Sequence, residues 1–184
     1  MLYIIVALKP EAQAFVDRYK LTKSKLDNFT IFSDKNMILI VSGIGINNST
    51  IATQTLINHY DITDDDIYMN IGICGASKDY KIGELLEINE VRYGHSVIKL
   101  NNNSKNILNC VDIEVSEDGY EIVDMESFGF YDAVIHSPAI KKIYILKVVS
   151  DNFEPNKVTK DSTKSLVFNV IDGINEIIQK KDKK

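Results

Sequence analysis

Acidic residues stand at three places where a predicted strand gives way to a turn or helix. Glu11 follows the first apolar run, the segment Asp124-Met125-Glu126 begins a later helix, and Asp151 ends the last apolar run. In a sheet covered by helices, ligands bind in the crevice at the carboxyl ends of the strands. A protonated and an ionised carboxyl group gathered there would support acid–base chemistry on a bound small molecule. Taken singly, each acid is also compatible with an inert turn or helix start, where the helix dipole favours acids.

A glycine turn, Ser42-Gly43-Ile44-Gly45, follows another predicted strand and opens a helix. Gly43 and Gly45 suit a tight turn, and backbone N–H groups at a helix start favour anionic or polar oxygen atoms of a ligand. The turn lacks the third glycine of the dinucleotide fingerprint, so it does not by itself indicate a nucleotide cofactor. Both glycines are therefore candidate ligand contacts that are equally compatible with a purely structural role.

Short apolar runs alternate with segments of helical periodicity through most of the chain. Predicted strands cover residues 2–8, 29–32, 37–41, 67–71, 85–93, 107–115, 121–123 and 143–149. Predicted helices begin at Pro10, after Gly45 and after Asp124, and a last one carries Leu166, each with apolar residues at helical spacing. The alternation predicts an α/β protein with a largely parallel sheet covered by helices, folded as one domain over residues 1–184.

The composition argues against several classes of protein. With a net charge of −5 and only Arg18 and Arg92 as arginines, the chain lacks the basic face that nucleic-acid binding requires. No apolar stretch approaches the ~20 residues that span a bilayer, and the N-terminus lacks the features of a secretory signal. Cys74 and Cys110 do not make a disulfide framework. We therefore expect a soluble protein of the cytoplasm, with neither nucleic acid nor membrane as a partner.

Taken in order, these segments resemble the purine nucleoside phosphorylase and nucleosidase superfamily, and most of all the 5′-methylthioadenosine/S-adenosylhomocysteine nucleosidases. The resemblance runs from the first strand to the last helix, and its most specific elements are the Asp-Met-Glu and Ser-Asp segments. The segments that carry it are Ile5-Val6-Ala7-Leu8 with Glu11, Ser42-Gly43-Ile44-Gly45, Asn70-Ile71-Gly72-Ile73-Cys74-Gly75, Val91-Arg92-Tyr93, Val123-Asp124-Met125-Glu126 and Val149-Ser150-Asp151.

The resemblance implies a three-layer α/β/α fold with a mixed, mostly parallel sheet and an active site at the strand ends. It implies that Glu11 activates the attacking water and that Asp151 protonates the leaving purine at N7. It also implies that Met125 and Glu126 form the ribose site, and that the protein is a homodimer without a metal or organic cofactor. Cleavage of an N-glycosidic bond passes through a cationic sugar, so one ionised and one protonated carboxyl group suit this chemistry.

The middle of the chain departs from the family. Residues 93–120 are shorter than the corresponding family region, which has a further helix, a strand and a loop that stacks on the purine. Ile73 stands where the family usually has a small hydroxyl residue. We assign Arg92 and Phe153 as candidate substrate contacts, with Phe153 as the candidate for stacking on the base.

The leading hypothesis is hydrolysis of the N-glycosidic bond of a purine nucleoside, of the methylthioadenosine/S-adenosylhomocysteine type or related. A nucleoside phosphorylase is disfavoured, because two arginines cannot supply a cluster of bidentate phosphate ligands and Glu11 would repel the anion. A non-catalytic nucleoside-binding protein is the third hypothesis, and the short middle region favours it. The identity of the nucleoside stays open at this stage.

Overall fold

The computed structural model describes residues 1–117 and 119–181, in which ten strands and four α-helices form. The first half contains β1 (Leu2–Val6), α1 (Lys9–Tyr19), β2 (Thr22–Leu26), β3 (Phe29–Ser33), β4 (Met37–Val41), α2 (Ile46–His59) and β5 (Ile67–Ala76). The second half contains β6 (Leu85–Tyr93), β7 (Ser96–Lys99), β8 (Asn106–Cys110), β9 (Ile122–Asp124), α3 (Ser127–Ile135), β10 (Lys142–Asp151), a 3₁₀ turn (Pro155–Lys157) and α4 (Lys160–Lys181).

The strands form one mixed sheet whose centre is parallel. Strands β4, β1, β5 and β10 run parallel as neighbours, and β3 and β2 extend the β4 edge in antiparallel pairing. At the other side, β5 pairs with β9, β9 with β8, β8 with β6, and β6 with β10, which pairs again with β5. These five strands therefore close into a ring. The curvature brings the carboxyl ends of β5, β9 and β10 towards one another.

Helices cover both faces of the sheet, which gives three layers. Helices α1 and α4 pack together on one face, where Phe15 of α1 joins a cluster with the strand side chains Met69 and Leu146. Helices α2 and α3 pack together on the opposite face, where Phe130 of α3 joins a cluster with Ile5 of β1. Within residues 1–117 and 119–181, no helix combines the length and the hydropathy needed to cross a membrane.

The predicted fold class is confirmed, and most predicted elements are present with shifted ends. The strand predicted at residues 67–71 is longer than expected and continues to Ala76. The strand predicted at residues 107–115 ends at Cys110. Strands β2 and β7 were not predicted, because Thr22–Lys25 and Ser96–Val97 are exposed and have no apolar alternation.

Candidate active site

A cavity of about 330 Å³ opens at the carboxyl ends of the parallel strands. Its walls come from the ends of β1, β5, β9 and β10, from residues 111–115, and from the segment that leads into α4. Four of the predicted site residues line it, namely Glu11, Met125, Glu126 and Asp151. The folding of distant segments thus brings together side chains that lie up to 140 positions apart in the sequence. The volume falls in the range of small-molecule sites.

Glu11 is buried and held at both carboxylate oxygens. It occupies the first turn of α1, after Pro10, and its Oε2 accepts the N–H of Leu8 at 2.7 Å. Its Oε1 accepts the N–H of Ile73 at 2.9 Å. A Cβ on Gly72 would lie 2.9 Å from Oε1, so only glycine leaves room for the carboxylate beside β5. Burial raises the pKa of Glu11, and the backbone N–H groups offset this only in part.

Glu126 connects the start of α3 to the glycine turn before α2. Its Oε1 accepts the N–H of Gly45 at 2.9 Å. Gly43 and Gly45 have φ angles of 89° and 102°, a conformation that glycine adopts without strain. Burial, together with the nearby Asp124 carboxylate, raises the pKa of Glu126 to about 7. The two glycines shape the turn, and Gly45 contributes through its backbone N–H to the placement of Glu126.

A buried lysine that the sequence analysis did not identify lies behind these carboxylates. Lys147, in the middle of β10, is 1% exposed, and its Nζ donates to Asn70 Oδ1 at 2.8 Å and forms an ion pair with Asp124 Oδ2 at 2.7 Å. Burial lowers the pKa of Lys147, but the carboxylates of Asp124 and Glu126 outweigh it and raise the pKa above its usual value. Lysine is almost never fully buried unless it is paired. The position of a lysine inside an otherwise apolar predicted strand was therefore the sequence signal that could have revealed a buried, paired Lys147.

Asp124 is occupied by structural contacts. Besides Lys147, it accepts the Ser127 N–H at 2.9 Å on Oδ2 and the Ser127 hydroxyl at 2.7 Å on Oδ1, which caps the first turn of α3. Glu126, two residues later, has a different environment. Its Oε2 has no hydrogen bond from any residue that the structure describes. Asp124 thus holds the lysine and the helix, whereas Glu126 keeps an oxygen for a ligand.

Asp151 lies at the end of β10, where the pairing with β5 is irregular. Its Oδ1 accepts the Glu154 N–H at 2.8 Å. The Ser150 hydroxyl lies 2.7 Å from Asp151 Oδ2 and 3.0 Å from the Cys74 carbonyl oxygen. The Ser150 hydroxyl has one proton to donate, which these two oxygen atoms share. Asp151 therefore accepts hydrogen bonds from two neutral donors of its own segment, the Glu154 N–H and the Ser150 hydroxyl.

Four predicted contacts lie outside the cavity wall, namely Gly43 and Gly45 of the glycine turn and the side chains of Arg92 and Phe153. Arg92 is exposed on β6 and pairs with Glu90 at 2.6 Å. Phe153 is 4% exposed and packs behind the cavity against Gly75. Neither residue is among those lining the cavity. Its wall on the side of residues 111–115 consists instead of Val111, Glu114 and Val115.

Solved structures share this architecture over nearly the whole chain. A 5′-methylthioadenosine/S-adenosylhomocysteine nucleosidase from Helicobacter pylori, bound to butyl-thio-DADMe-Immucillin-A, matches with a TM-score of 0.76 and 14% identity, covering 97% of both chains. The Neisseria meningitidis nucleosidase with methylthio-immucillin-A matches with a TM-score of 0.71 and 15% identity, covering 94% of this chain and 98% of that one. The Arabidopsis thaliana 5′-methylthioadenosine nucleosidase matches with a TM-score of 0.75 and 15% identity, covering 95% of both.

The chain has the fold of these nucleosidases. Comparison of the sequence alone finds no matching family model, and no curated protein matches it. The likeness therefore lies in the order and pairing of the elements. Within this nucleosidase fold, the cavity combines carboxyl groups in different states of hydrogen bonding. Glu11 is anchored by backbone N–H groups, Glu126 has an oxygen available for a ligand, and Asp151 accepts from one N–H group and one hydroxyl.

Proposed function

We propose that the protein hydrolyses the N-glycosidic bond of a purine nucleoside. The observation that carries the proposal is the convergence of Glu11, Glu126 and Asp151 on one cavity of nucleoside size within a nucleosidase fold. Cleavage of this bond needs a base for water, an acid for the leaving purine and an acceptor for the ribose hydroxyls. One carboxyl group is available for each of these tasks.

Glu11 is the proposed general base. A base works best when its pKa lies near the working pH, and burial moves the pKa of Glu11 upwards in that direction. The N–H groups of Leu8 and Ile73 fix its orientation. Each carboxylate oxygen has a second lone pair, so a water molecule can still donate to Glu11 from the cavity.

Asp151 is the proposed general acid and Glu126 the proposed ribose ligand, with Met125 beside it. Asp151 lines the cavity at the end of β10, and as the general acid it would give a proton to N7 of the departing purine. The ribose hydroxyls would donate to Glu126, whose Oε1 is already positioned by Gly45. Such charge-assisted hydrogen bonds strengthen as the sugar becomes cationic.

The nucleoside we propose is of the 5′-methylthioadenosine or S-adenosylhomocysteine type. The solved proteins of this fold bind methylthio- and butylthio-substituted immucillins. The cavity here has apolar walls at Ile44, Val111 and Val158, which suit an alkylthio group and a purine face. Phosphate is a poor fit as the nucleophile, because Glu11, Glu126 and Asp151 line the cavity and would repel the anion.

The test is incubation of the full chain with methylthioadenosine, S-adenosylhomocysteine, adenosine and inosine, with and without phosphate. We expect free base at the same rate in both buffers, together with methylthioribose, S-ribosylhomocysteine or ribose according to the substrate. Glu11→Gln and Asp151→Asn should each lower turnover by about 10²–10⁴-fold. Glu176→Gln, on the exposed face of α4, is the matched control and should leave turnover unchanged.

Two outcomes would replace the proposal. Strict dependence on phosphate, with ribose 1-phosphate as product, would make the protein a phosphorylase. Binding of these nucleosides without release of base from any of them would make it a non-catalytic nucleoside-binding protein.

We also propose a homodimer in the cytoplasm. Ile44 borders the cavity yet is 51% exposed, and Ile51, on α2, is 53% exposed. A partner subunit that covers these side chains would also wall the open side of the cavity. Light scattering should give twice 20.8 kDa, and an active species of monomer mass would contradict the dimer.

A further inference from the structure

The last two residues of β10 and the three that follow form an irregular turn around Asp151, residues 150–154, which we call the Asp151 turn. Along β10 and β5, Val149 pairs with Cys74 but Asp151 pairs with Gly75, so Ser150 is an extra residue in the ladder. Such a bulge changes the direction of the side chain that follows it, and bulges are frequent beside active sites. Because of the bulge, the Asp151 side chain does not follow the regular alternation of side chains between the two faces of β10.

Asn152 ties this turn to the end of β5. Its side-chain Nδ2 lies 3.0 Å from the carbonyl oxygens of both Ala76 and Ser77, and the amide has two protons to donate. Both acceptors belong to the chain immediately after Gly75, the residue that pairs with Asp151. Asn152 therefore fixes the turn against the same strand end that Asp151 faces.

Phe153 has a backbone conformation that a bulky side chain rarely adopts. Its φ is 60°, in the left-handed region, and its ring is 4% exposed. Such a conformation costs energy and persists only where the surroundings hold it, most often at functional sites. A Cβ built on Gly75 would lie 3.5 Å from Phe153 Cδ1 and 3.6 Å from Asp151 Oδ1, so the ring and the carboxyl group pack against the same glycine. The left-handed residue also turns the chain so that the Glu154 N–H reaches Asp151 Oδ1.

We infer that Asn152 and Phe153 are positioning residues for Asp151. The inference rests on the proposed function and adds two side chains to it that do not touch the substrate. Asn152 fixes the turn through its hydrogen bonds, and the Phe153 ring packs against Gly75. Together they hold the Asp151 carboxyl group in one orientation at the cavity. Phe153 therefore acts through Asp151 and does not stack on the base. A general acid that is misplaced by about 1 Å loses on the order of 10²-fold in rate, whereas binding of the ground-state substrate depends on it much less.

The decisive variant is Asn152→Ala in the full chain. We expect kcat to fall about 10–100-fold with KM within about threefold of wild type, because the acid is misdirected while the ribose and base contacts are retained. The amide proton of Glu154 should exchange with solvent faster, since its hydrogen bond to Asp151 is loosened. Asn102→Ala is the matched control, because Asn102 also donates to a backbone carbonyl, that of Ile88, in a loop that does not line the cavity. It should leave kcat and the Glu154 exchange rate unchanged.

Phe153→Gly separates the ring from the backbone. Glycine adopts the left-handed conformation freely, so kcat should stay intact if only the backbone of Phe153 matters. If packing of the ring against Gly75 holds Asp151 in place, kcat should fall about as much as in Asn152→Ala. Wild-type kcat and wild-type Glu154 exchange in Asn152→Ala would overturn the inference. If the wild-type protein releases no base from any nucleoside, the proposed function fails. Exchange at Glu154 still decides the positioning role in that case: faster exchange in Asn152→Ala supports it, and unchanged exchange overturns it.

Discussion

The two sides of the cavity hold their carboxyl groups by different physical means. On one side, the buried ammonium of Lys147 pairs with Asp124 and is acted on electrostatically by Glu126 and Glu11, and we call these four residues with Asn70 the Lys147 cluster. On the other side, the Asp151 turn holds its carboxyl group with two neutral donors, the Glu154 N–H and the Ser150 hydroxyl. The cluster joins four segments that are distant in sequence, whereas the turn is local.

The difference has consequences for stability and for chemistry. Charges removed from water are costly unless they are paired, so the Lys147 cluster depends on its full set of partners and on pH. A local turn with neutral hydrogen bonds carries little of that electrostatic cost and mainly sets a direction. We therefore expect changes in the cluster to alter both folding and turnover, and changes in the turn to alter turnover with little effect on folding.

The largest effect is expected from Lys147→Met. Methionine fills a similar volume but leaves the Asp124 carboxylate buried without its cation, which should lower the free energy of unfolding by about 3–5 kcal/mol. Denaturant unfolding monitored by circular dichroism measures this change. The matched control is Lys164→Met, because Lys164 pairs with Asp17 at the surface and such pairs contribute about 0–1 kcal/mol. Equal losses of stability in the two variants would mean that the Lys147 cluster contributes no more to folding than an ordinary surface ion pair.

The sequence predicts much of the fold, because strands buried on both faces are continuous apolar runs. β1, β4 and β10 were recognisable for this reason, and the acids that follow β1 and end β10 indicated where a site would form. β2 was missed because four of its five residues are exposed and polar, so only pairing with β3 holds it in the sheet. Edge strands of this kind have no hydrophobic pattern for a sequence analysis to detect.

The candidate site was predictable where the position of a residue follows from its strand, and not where a turn decides it. Glu11, Met125, Glu126 and Asp151 fall at strand or helix ends and reach the cavity. Phe153 does not reach it, because a left-handed turn that the sequence does not indicate directs its ring towards Gly75. Arg92 lies two residues after Glu90, and residues i and i+2 share one face of a strand. An ion pair between them could therefore have been predicted from the sequence in place of a substrate contact.

A smaller effect of opposite sign is expected from Glu126→Gln. The pKa of Glu126 is raised to about 7 in the folded protein. The folded chain therefore binds more protons than the unfolded chain between about pH 4.5 and 7, and its stability falls as pH rises through that window. The neutral variant does not undergo this loss, so at pH 8 it should be more stable than wild type by about 3 kcal/mol, with the difference vanishing near pH 4. Thermal unfolding from pH 4 to pH 8 measures it, with the exposed Glu176→Gln as the control. A pH-independent difference would mean that Glu126 does not titrate as part of the cluster.

The smallest change in stability is expected from Asp151→Asn, which is also where the contrast between the two regions becomes sharpest. The oxygen of the amide can accept the Glu154 N–H as Asp151 Oδ1 does. Its NH₂ group can donate to the Ser150 hydroxyl, whose own proton is then available to the Cys74 carbonyl oxygen. No buried partner charge is abandoned, so the free energy of unfolding should change by less than about 0.5 kcal/mol. Turnover should nevertheless fall by about 10²–10⁴-fold, because an amide cannot deliver a proton to the leaving purine. On the same preparation, denaturant unfolding measures the change in the free energy of unfolding, and base release measures the change in turnover. A loss of stability comparable to that of Lys147→Met would show that Asp151 belongs electrostatically to the Lys147 cluster, and the distinction between a charged cluster and a neutral turn would then be wrong.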